Sequence, residues 1–228
     1  MKIPRTGVLG GTFDPIHFGH LHVAERVRKI FSLSKVYFVV ATMPPHKLHE
    51  RLIPFVHRYA MVSLALAGIP HFIPSMMELE PEASAFSIDT MRKFERFPAC
   101  EKSALYFIAG GDSLAEVRSW RDSEKLLTSY NFVFVARPGT GPLLFEDVLP
   151  QKAVSRVRDL TGLGPARMRQ KIAEEKSGEN RIYITDVDAP DISATRIRSL
   201  ASSGKPFRRM VPGLVSEYIR KHRLYGER

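Results

Sequence analysis

The sequence has almost no sulfur chemistry to offer: its one cysteine, Cys100, excludes a disulfide framework and any cysteine-based zinc cluster. Long apolar runs are missing too. No stretch approaches the roughly 20 apolar residues of a membrane span, and residues 1–10 lack the apolar segment of a secretory leader, so a cytoplasmic setting is expected. There is no internal repeat and no low-complexity tract, and the composition speaks against disorder and fibrous structure. Positive charge, in contrast, is in excess. Against 24 Asp and Glu stand 34 Lys and Arg, a balance of +10, and residues 152–228 alone hold 17 cations and 9 carboxylates, or +8 of it. Such an excess draws in anions, whether nucleic acid, nucleotides or anionic lipid, without choosing among them.

A chain of 228 residues suits one large domain or one domain with a small appendage. Short runs rich in β-branched and aromatic residues at 6–10, 35–41, 72–76, 104–109, 131–136 and 181–185 read as strands. Between them, Leu21, Ala24, Val27, Arg28 and Phe31 form a helical stripe, Met61, Leu64, Ala65 and Gly68 a second, and Ile88, Met91 and Phe94 a third. Strands alternating with helices predict an α/β fold, a doubly wound and mostly parallel sheet covered on both faces, with ligands beyond the carboxyl ends of the strands. The interval 138–180 reads as a loop followed by a helix near 165–176, set between two sheet strands. Helices opening near Ser193 and spanning about 212–222 close the chain. The expected organisation is a nucleotide-binding domain over 1–190 and a small C-terminal helical subdomain over 191–228 packed on it.

The strongest local pattern is Gly10-Gly11-Thr12-Phe13-Asp14-Pro15-Ile16-His17-Phe18-Gly19-His20, directly after the first strand. Two glycines at a strand's carboxyl end let the backbone come close to a ligand, and the following helix aims its N-terminal N–H groups at the same place. His17 and His20, three apart, project from one face toward an anion such as a phosphate chain. A second pattern, Ile192-Ser193-Ala194-Thr195-Arg196-Ile197-Arg198, offers a capping serine, backbone donors, a hydroxyl and a guanidinium for further phosphate oxygens.

Together these runs resemble the signature of the nucleotidyltransferase superfamily, and within it the chain is similar to the bacterial nicotinate-nucleotide adenylyltransferases. The resemblance implies a Rossmann-like nucleotidyltransferase fold and transfer of an adenylyl group from ATP to nicotinate mononucleotide, giving deamido-NAD and pyrophosphate. It implies that Gly10, Gly11, Thr12, Phe13, Ser193, Thr195 and Arg198 bind ATP, and that His17, His20, Lys47 and Arg198 carry the chemistry. Lys47 comes from Pro44-Pro45-His46-Lys47, which resembles the family's phosphate-facing loop. Gly110-Gly111-Asp112 with Trp120 resembles its Gly-x-Asp then Trp element, and Arg137-Pro138-Gly139 its Arg-Pro-Gly turn. Lys47, Gly110, Asp112, Trp120 and Arg137 are thereby expected at the mononucleotide, the indole stacked on the pyridine ring. The tail over 211–220 is similar to the family's last helix, with a packing role.

The implied step is direct in-line attack of the mononucleotide phosphate on the α-phosphorus of ATP. A phosphate monoester is already mostly dianionic near neutrality, its second pKa being about 6, so neither a general base nor a covalent intermediate is required. Magnesium arrives with ATP, held by phosphate oxygens and water, and no dedicated protein metal site is expected. Two departures stand out. Ala194 replaces the commoner second serine, and Ala85-Phe86-Ser87 stands where a Ser-Tyr-Thr-like stretch helps read the pyridine's carboxyl group, which loosens the expected preference for acid over amide. The alternatives are a sister enzyme with another phosphate acceptor and, less favoured, a nucleic-acid-binding protein on the same scaffold. Loss of either histidine or of Arg198 would have supported the latter, and all three are present.

Overall fold

Runs of Val, Ile, Phe and Tyr with no polar alternation form strands only where both faces of a sheet are covered, and that is their environment here. The computed structural model describes residues 3–42, 52–79, 86–136, 145–175 and 178–226. In chain order its elements are β1 (Arg5–Gly11), α1 (Phe18–Phe31), β2 (Lys35–Val40), α2 (Phe55–Leu66), β3 (Phe72–Ser75), α3 (Ser87–Arg96), β4 (Ala104–Gly110), α4 (Gly111–Glu116), α5 (Ser123–Ser129) and β5 (Asn131–Val135). There follow α6 (Phe145–Val148), α7 (Gln151–Val154), β6 (Val157–Asp159), α8 (Pro165–Glu174), β7 (Ile182–Thr185), α9 (Ala194–Ser202) and α10 (Gly213–Lys221).

The seven strands form one sheet in the order β3-β2-β1-β4-β5-β7-β6, every neighbouring pair parallel. All six expected strands are present, within a residue or so at their ends. From β1 the chain winds outward through β2 and β3, then returns to place β4 on the other side of β1 and winds the opposite way. The reversal puts a crevice beyond the carboxyl ends of β1 and β4, the place where such folds bind ligands.

Alternation along each strand feeds two cores. Leu9, Val36, Phe38, Tyr106, Ile108 and Val133 point to one face, where α1, α2, α8, α9 and α10 supply Val27, Met61, Met168, Ile197 and Val215. Val8, Tyr37, Val39, Phe107, Phe132 and Phe134 point to the other, against Met91 and Phe94 of α3, Leu114 of α4 and Leu126 of α5. Phe38, Phe132 and Phe134 are fully buried, each contributing about 1.5–3 kcal/mol of apolar transfer.

The interval 138–180, expected as a loop and one helix, also holds α6, α7 and the sheet's edge strand β6 ahead of that helix. β6 pairs with β7 through Val157↔Ile182 and Arg158↔Tyr183, and α8 returns over the face shared with α1, burying Met168 and Ile172. The Tyr183 hydroxyl donates to Glu175 at 2.5 Å, tying the end of α8 to the sheet. α10 packs on α2.

Candidate functional site

The glycines at the end of β1 face opposite sides of the sheet. Gly10 shares the side of Val8, and a Cβ there would touch only the Phe107 ring, at 3.4 Å. A Cβ on Gly11 would come within 2.8 Å of the Phe13 ring, so this position has no room for a side chain. Phe13 turns the chain back with a φ of +48°, in the left-handed region that a bulky residue adopts only under outside constraint. Its buried ring meets His20 edge to face at 5.1 Å.

His17 is the N-cap of α1 and only 6% exposed. Its ring stacks on that of His20, centroids 3.7 Å apart and 25° from parallel, so the two imidazoles form one unit at the mouth of the crevice. Gly19 makes room for the stack: a Cβ there would lie 2.9 Å from His17 Nδ1. The backbone N–H of His17 donates to His20 Nδ1 at 3.2 Å. In a neutral ring, an Nδ1 that accepts leaves the proton on Nε2. One expectation is corrected. The first N–H groups of α1 are not all turned to a ligand, because Phe18 donates to the carbonyl of Met210 at 3.0 Å, the loop before α10 having reached that helix end.

The second motif lies against the first although 184 positions separate them. Ser193 caps α9, accepting the Arg196 N–H at 3.2 Å. Arg198 donates from Nη1 to the Asp14 carbonyl at 2.9 Å and from Nη2 to the Thr195 hydroxyl at 3.3 Å. Gly10, Gly11, Thr12, Phe13, His17, His20, Thr195 and Arg198 therefore gather at one end of the sheet. On the adjacent strand, Gly110 has open space where a Cβ would be, and exposed Asp112 sits in the first turn of α4. Gly111, which carried no assignment, is the crowded one: its Cβ would fall 3.0 Å from the Ala136 Cα. Trp120 is half-buried and meets Phe107 edge to face at 5.9 Å, on the same side of the sheet as Gly10. Lys47 and Arg137 lie outside the described residues.

Sequence patterns missed the group that holds these parts in place. Arg58, 1% exposed, donates from Nη1 to the carbonyls of Thr12 at 2.9 Å and Ala41 at 2.6 Å, from Nη2 to Thr42 at 3.1 Å and from Nε to Ile53 at 3.1 Å. Burial lowers its pKa, opposed by the nearby charges of Asp14, Tyr225 and Glu78. Glu78 accepts the Thr42 N–H at 3.1 Å and the Thr90 hydroxyl at 3.3 Å, and burial pushes its pKa up. Asp14, 3% exposed, accepts the Tyr225 hydroxyl at 2.7 Å. The available signal for Arg58 was its place on the apolar stripe of α2, three residues before Met61, where a charge must be fully hydrogen-bonded to be tolerated. Among the described residues no three His, Cys, Asp or Glu side chains are grouped as a metal site, and no helix is long and apolar enough to cross a membrane.

A doubly wound parallel sheet with a glycine turn, an imidazole pair and a capped helix at its switch point defines a nucleotide-binding α/β protein. The chain belongs to the cytidylyltransferase-like family, whose model matches residues 8–200. It is 38% identical over 97% of its length to a protein of Thermoanaerobacter sp. named a probable nicotinate-nucleotide adenylyltransferase, of which 94% is covered. A relative of the same name from Geobacter sulfurreducens is also 38% identical, over 97% of this chain and 98% of its own length. The fold resembles that of the Plasmodium falciparum nicotinic acid mononucleotide adenylyltransferase complexed with NaAD, with a TM-score of 0.69, 97% of both chains covered and 16% identity.

Proposed function

We propose that the protein transfers the adenylyl group of ATP to nicotinate mononucleotide, forming deamido-NAD and pyrophosphate in NAD biosynthesis. The observation that carries this reading is likeness over nearly the whole chain to relatives named for that activity, with both motifs of the transferase signature meeting at one crevice.

The mononucleotide phosphate attacks the α-phosphorus in line with departing pyrophosphate. The attacking oxygen is already ionised near neutral pH, so the protein's task is to position and to stabilise developing charge. Gly10, Gly11, Thr12 and Phe13 give ATP a close approach to the backbone. His20 donates from Nε2 to the α-phosphoryl oxygens and His17, stacked against it, fixes the ring plane. Ser193, Thr195 and Arg198 face the leaving pyrophosphate, and Lys47 adds charge to the same phosphates. Gly110, Asp112, Trp120 and Arg137 receive the mononucleotide, with the indole against the pyridine ring.

A divalent ion accompanies ATP, and we assign it as Mg²⁺, its shell made of triphosphate oxygens and water. Residues 191–228 serve as the helical subdomain that brings Thr195 and Arg198 to the 1–190 unit. Both substrates are water-borne anions, and we place the reaction in the cytoplasm.

Pyrophosphate release, measured with ATP and magnesium against nicotinate mononucleotide, nicotinamide mononucleotide and phosphopantetheine in parallel, tests the reading. Turnover with the nicotinate form at least about tenfold above the other two is expected, a margin of roughly 1.4 kcal/mol. Preference for phosphopantetheine would reassign the acceptor, and silence with all three would overturn the proposal.

A further inference from the structure

The turn that joins β1 to α1 carries most of the proposed chemistry, yet what fixes it comes from elsewhere in the chain. Three groups from other elements converge on it. Arg198 of α9 takes the Asp14 carbonyl at 2.9 Å, Arg58 of α2 takes the Thr12 carbonyl at 2.9 Å, and Tyr225, beyond α10, donates to Asp14 Oδ1 at 2.7 Å. The other Asp14 oxygen, Oδ2, is buried and meets no hydrogen-bond donor among the described residues, so the Tyr225 hydroxyl is the donor this carboxylate has. Tyr225 reaches it with a φ of +66°, and Phe13 next to Asp14 has a φ of +48°. Two bulky residues in the left-handed region at one contact mark a place where surrounding structure dictates the backbone, and such places concentrate at functional sites. Burial, with Asp14 beside it, drives the Tyr225 pKa upward, so the phenol stays a donor throughout the neutral range.

Arg58 does more than touch the turn. Its remaining bonds run to Ala41 and Thr42, at the exit of β2, and to Ile53, just before α2, so one buried guanidinium holds both ends of that connection against Thr12. A lysine has a single nitrogen and cannot match this forked set.

We propose that Tyr225 and Arg58 are positioning residues of the nucleotide site: they fix the Thr12–Asp14 turn, and through it the register of His17 and His20. The kinetic part of this inference rests on the adenylyl-transfer reading, and the structural part does not.

Tyr225→Phe removes one hydroxyl and keeps the ring, so the fold is retained. Hydrogen exchange supplies the direct readout, because the His17 N–H is held by His20 Nδ1 and the Phe18 N–H by the Met210 carbonyl, both dependent on the turn. Exchange of these amides should rise by about tenfold or more while the amides of β4 and β5 keep wild-type rates. kcat/KM for ATP should fall by a similar factor. Arg58→Lys should do the same more severely.

Tyr218→Phe is the control, since it deletes a hydroxyl contact, to His57 at 3.0 Å, that is not made to the turn itself. It should leave exchange at His17 and Phe18 unchanged. Wild-type exchange in Tyr225→Phe, or the same acceleration in Tyr218→Phe, overturns the proposal. So does faster exchange with unchanged kcat/KM. Should the wild type prove inactive toward nicotinate mononucleotide, the adenylyl-transfer reading falls alone. Exchange together with ATP affinity by equilibrium dialysis then decides the role of Tyr225 and Arg58.

Discussion

At the level of single residues, the fixed ring of His20 suits the role of phosphoryl donor proposed for it. Its Nδ1 accepts the His17 N–H, and its ring is held between His17 and Phe13. A preorganised donor of this kind is worth roughly 10²–10³ in turnover when charge develops opposite it. His20→Ala should therefore lower kcat by at least about 10²-fold with an unchanged circular dichroism spectrum. Near-wild-type turnover would remove His20 from the reaction. Trp120 is placed differently: only half-buried and edge-on to Phe107, it leaves much of its indole uncommitted to the core. Trp120→Ala is expected to raise KM for the mononucleotide about tenfold, the scale of one aromatic stack, while ATP affinity stays within twofold. A selective loss of ATP affinity would place the indole at the wrong substrate.

Between elements, the fit of α1 to the sheet sets the stage for its histidines, and a carboxylate at mid-helix anchors it. Glu25 accepts from Arg28 at 2.8 Å, from Lys29 at 3.1 Å and from His71, before β3, at 2.9 Å. The Arg28 bond, outweighing burial and joined by Lys29 and His71, lowers the Glu25 pKa from 4.5 to about 2. A depressed carboxylate pKa adds stability above its unfolded value, and that stability is lost as pH falls toward the folded one. The group is partly solvated, so the contribution is no more than about 1 kcal/mol. Glu25→Gln should cost about that much by urea unfolding at pH 7 and nothing near pH 2. Equal losses at both pH values would assign the effect to packing.

The same scale shows what the sequence made visible. Strands such as residues 36–40 and 132–135 announce themselves because burial on both faces forces an unbroken apolar run. β6 escaped because Val157-Arg158-Asp159 is three residues long, carries one apolar side chain and lies at a half-exposed edge. The two motifs were legible as local patterns of glycine, histidine and a capping serine. Arg58, Glu78 and Tyr225 were not, since their meaning lies in contacts with carbonyls, amides and a carboxylate far along the chain, which no local spacing encodes.

For the whole molecule, the charge balance acquires a direction once the fold is known. Residues 191–228 carry nine cations and three carboxylates, +6 of the total +10, and this is the segment that brings Arg198 to the Asp14 carbonyl. Exposed Arg196, Lys205, Arg208 and Arg209 lie on α9 and on the loop whose Met210 carbonyl caps α1. A positive field around a crevice raises the encounter rate of polyanionic substrates, and mobile ions screen it over about 10 Å at 0.1 M salt. kcat/KM for ATP should accordingly fall several-fold between about 20 and 300 mM salt while kcat, set by contacts inside the crevice, changes little. Replacing Arg208 and Arg209 by Gln should flatten that dependence. Nucleic acid offers the competing use of the same charge, and salt separates the two. Nonspecific binding through several phosphates should collapse by about 10³-fold between 50 and 200 mM. Tight retention of duplex or single strands on a filter at the higher salt, with kcat/KM insensitive throughout, would mean that the basic segment serves a polymer and not the nucleotide.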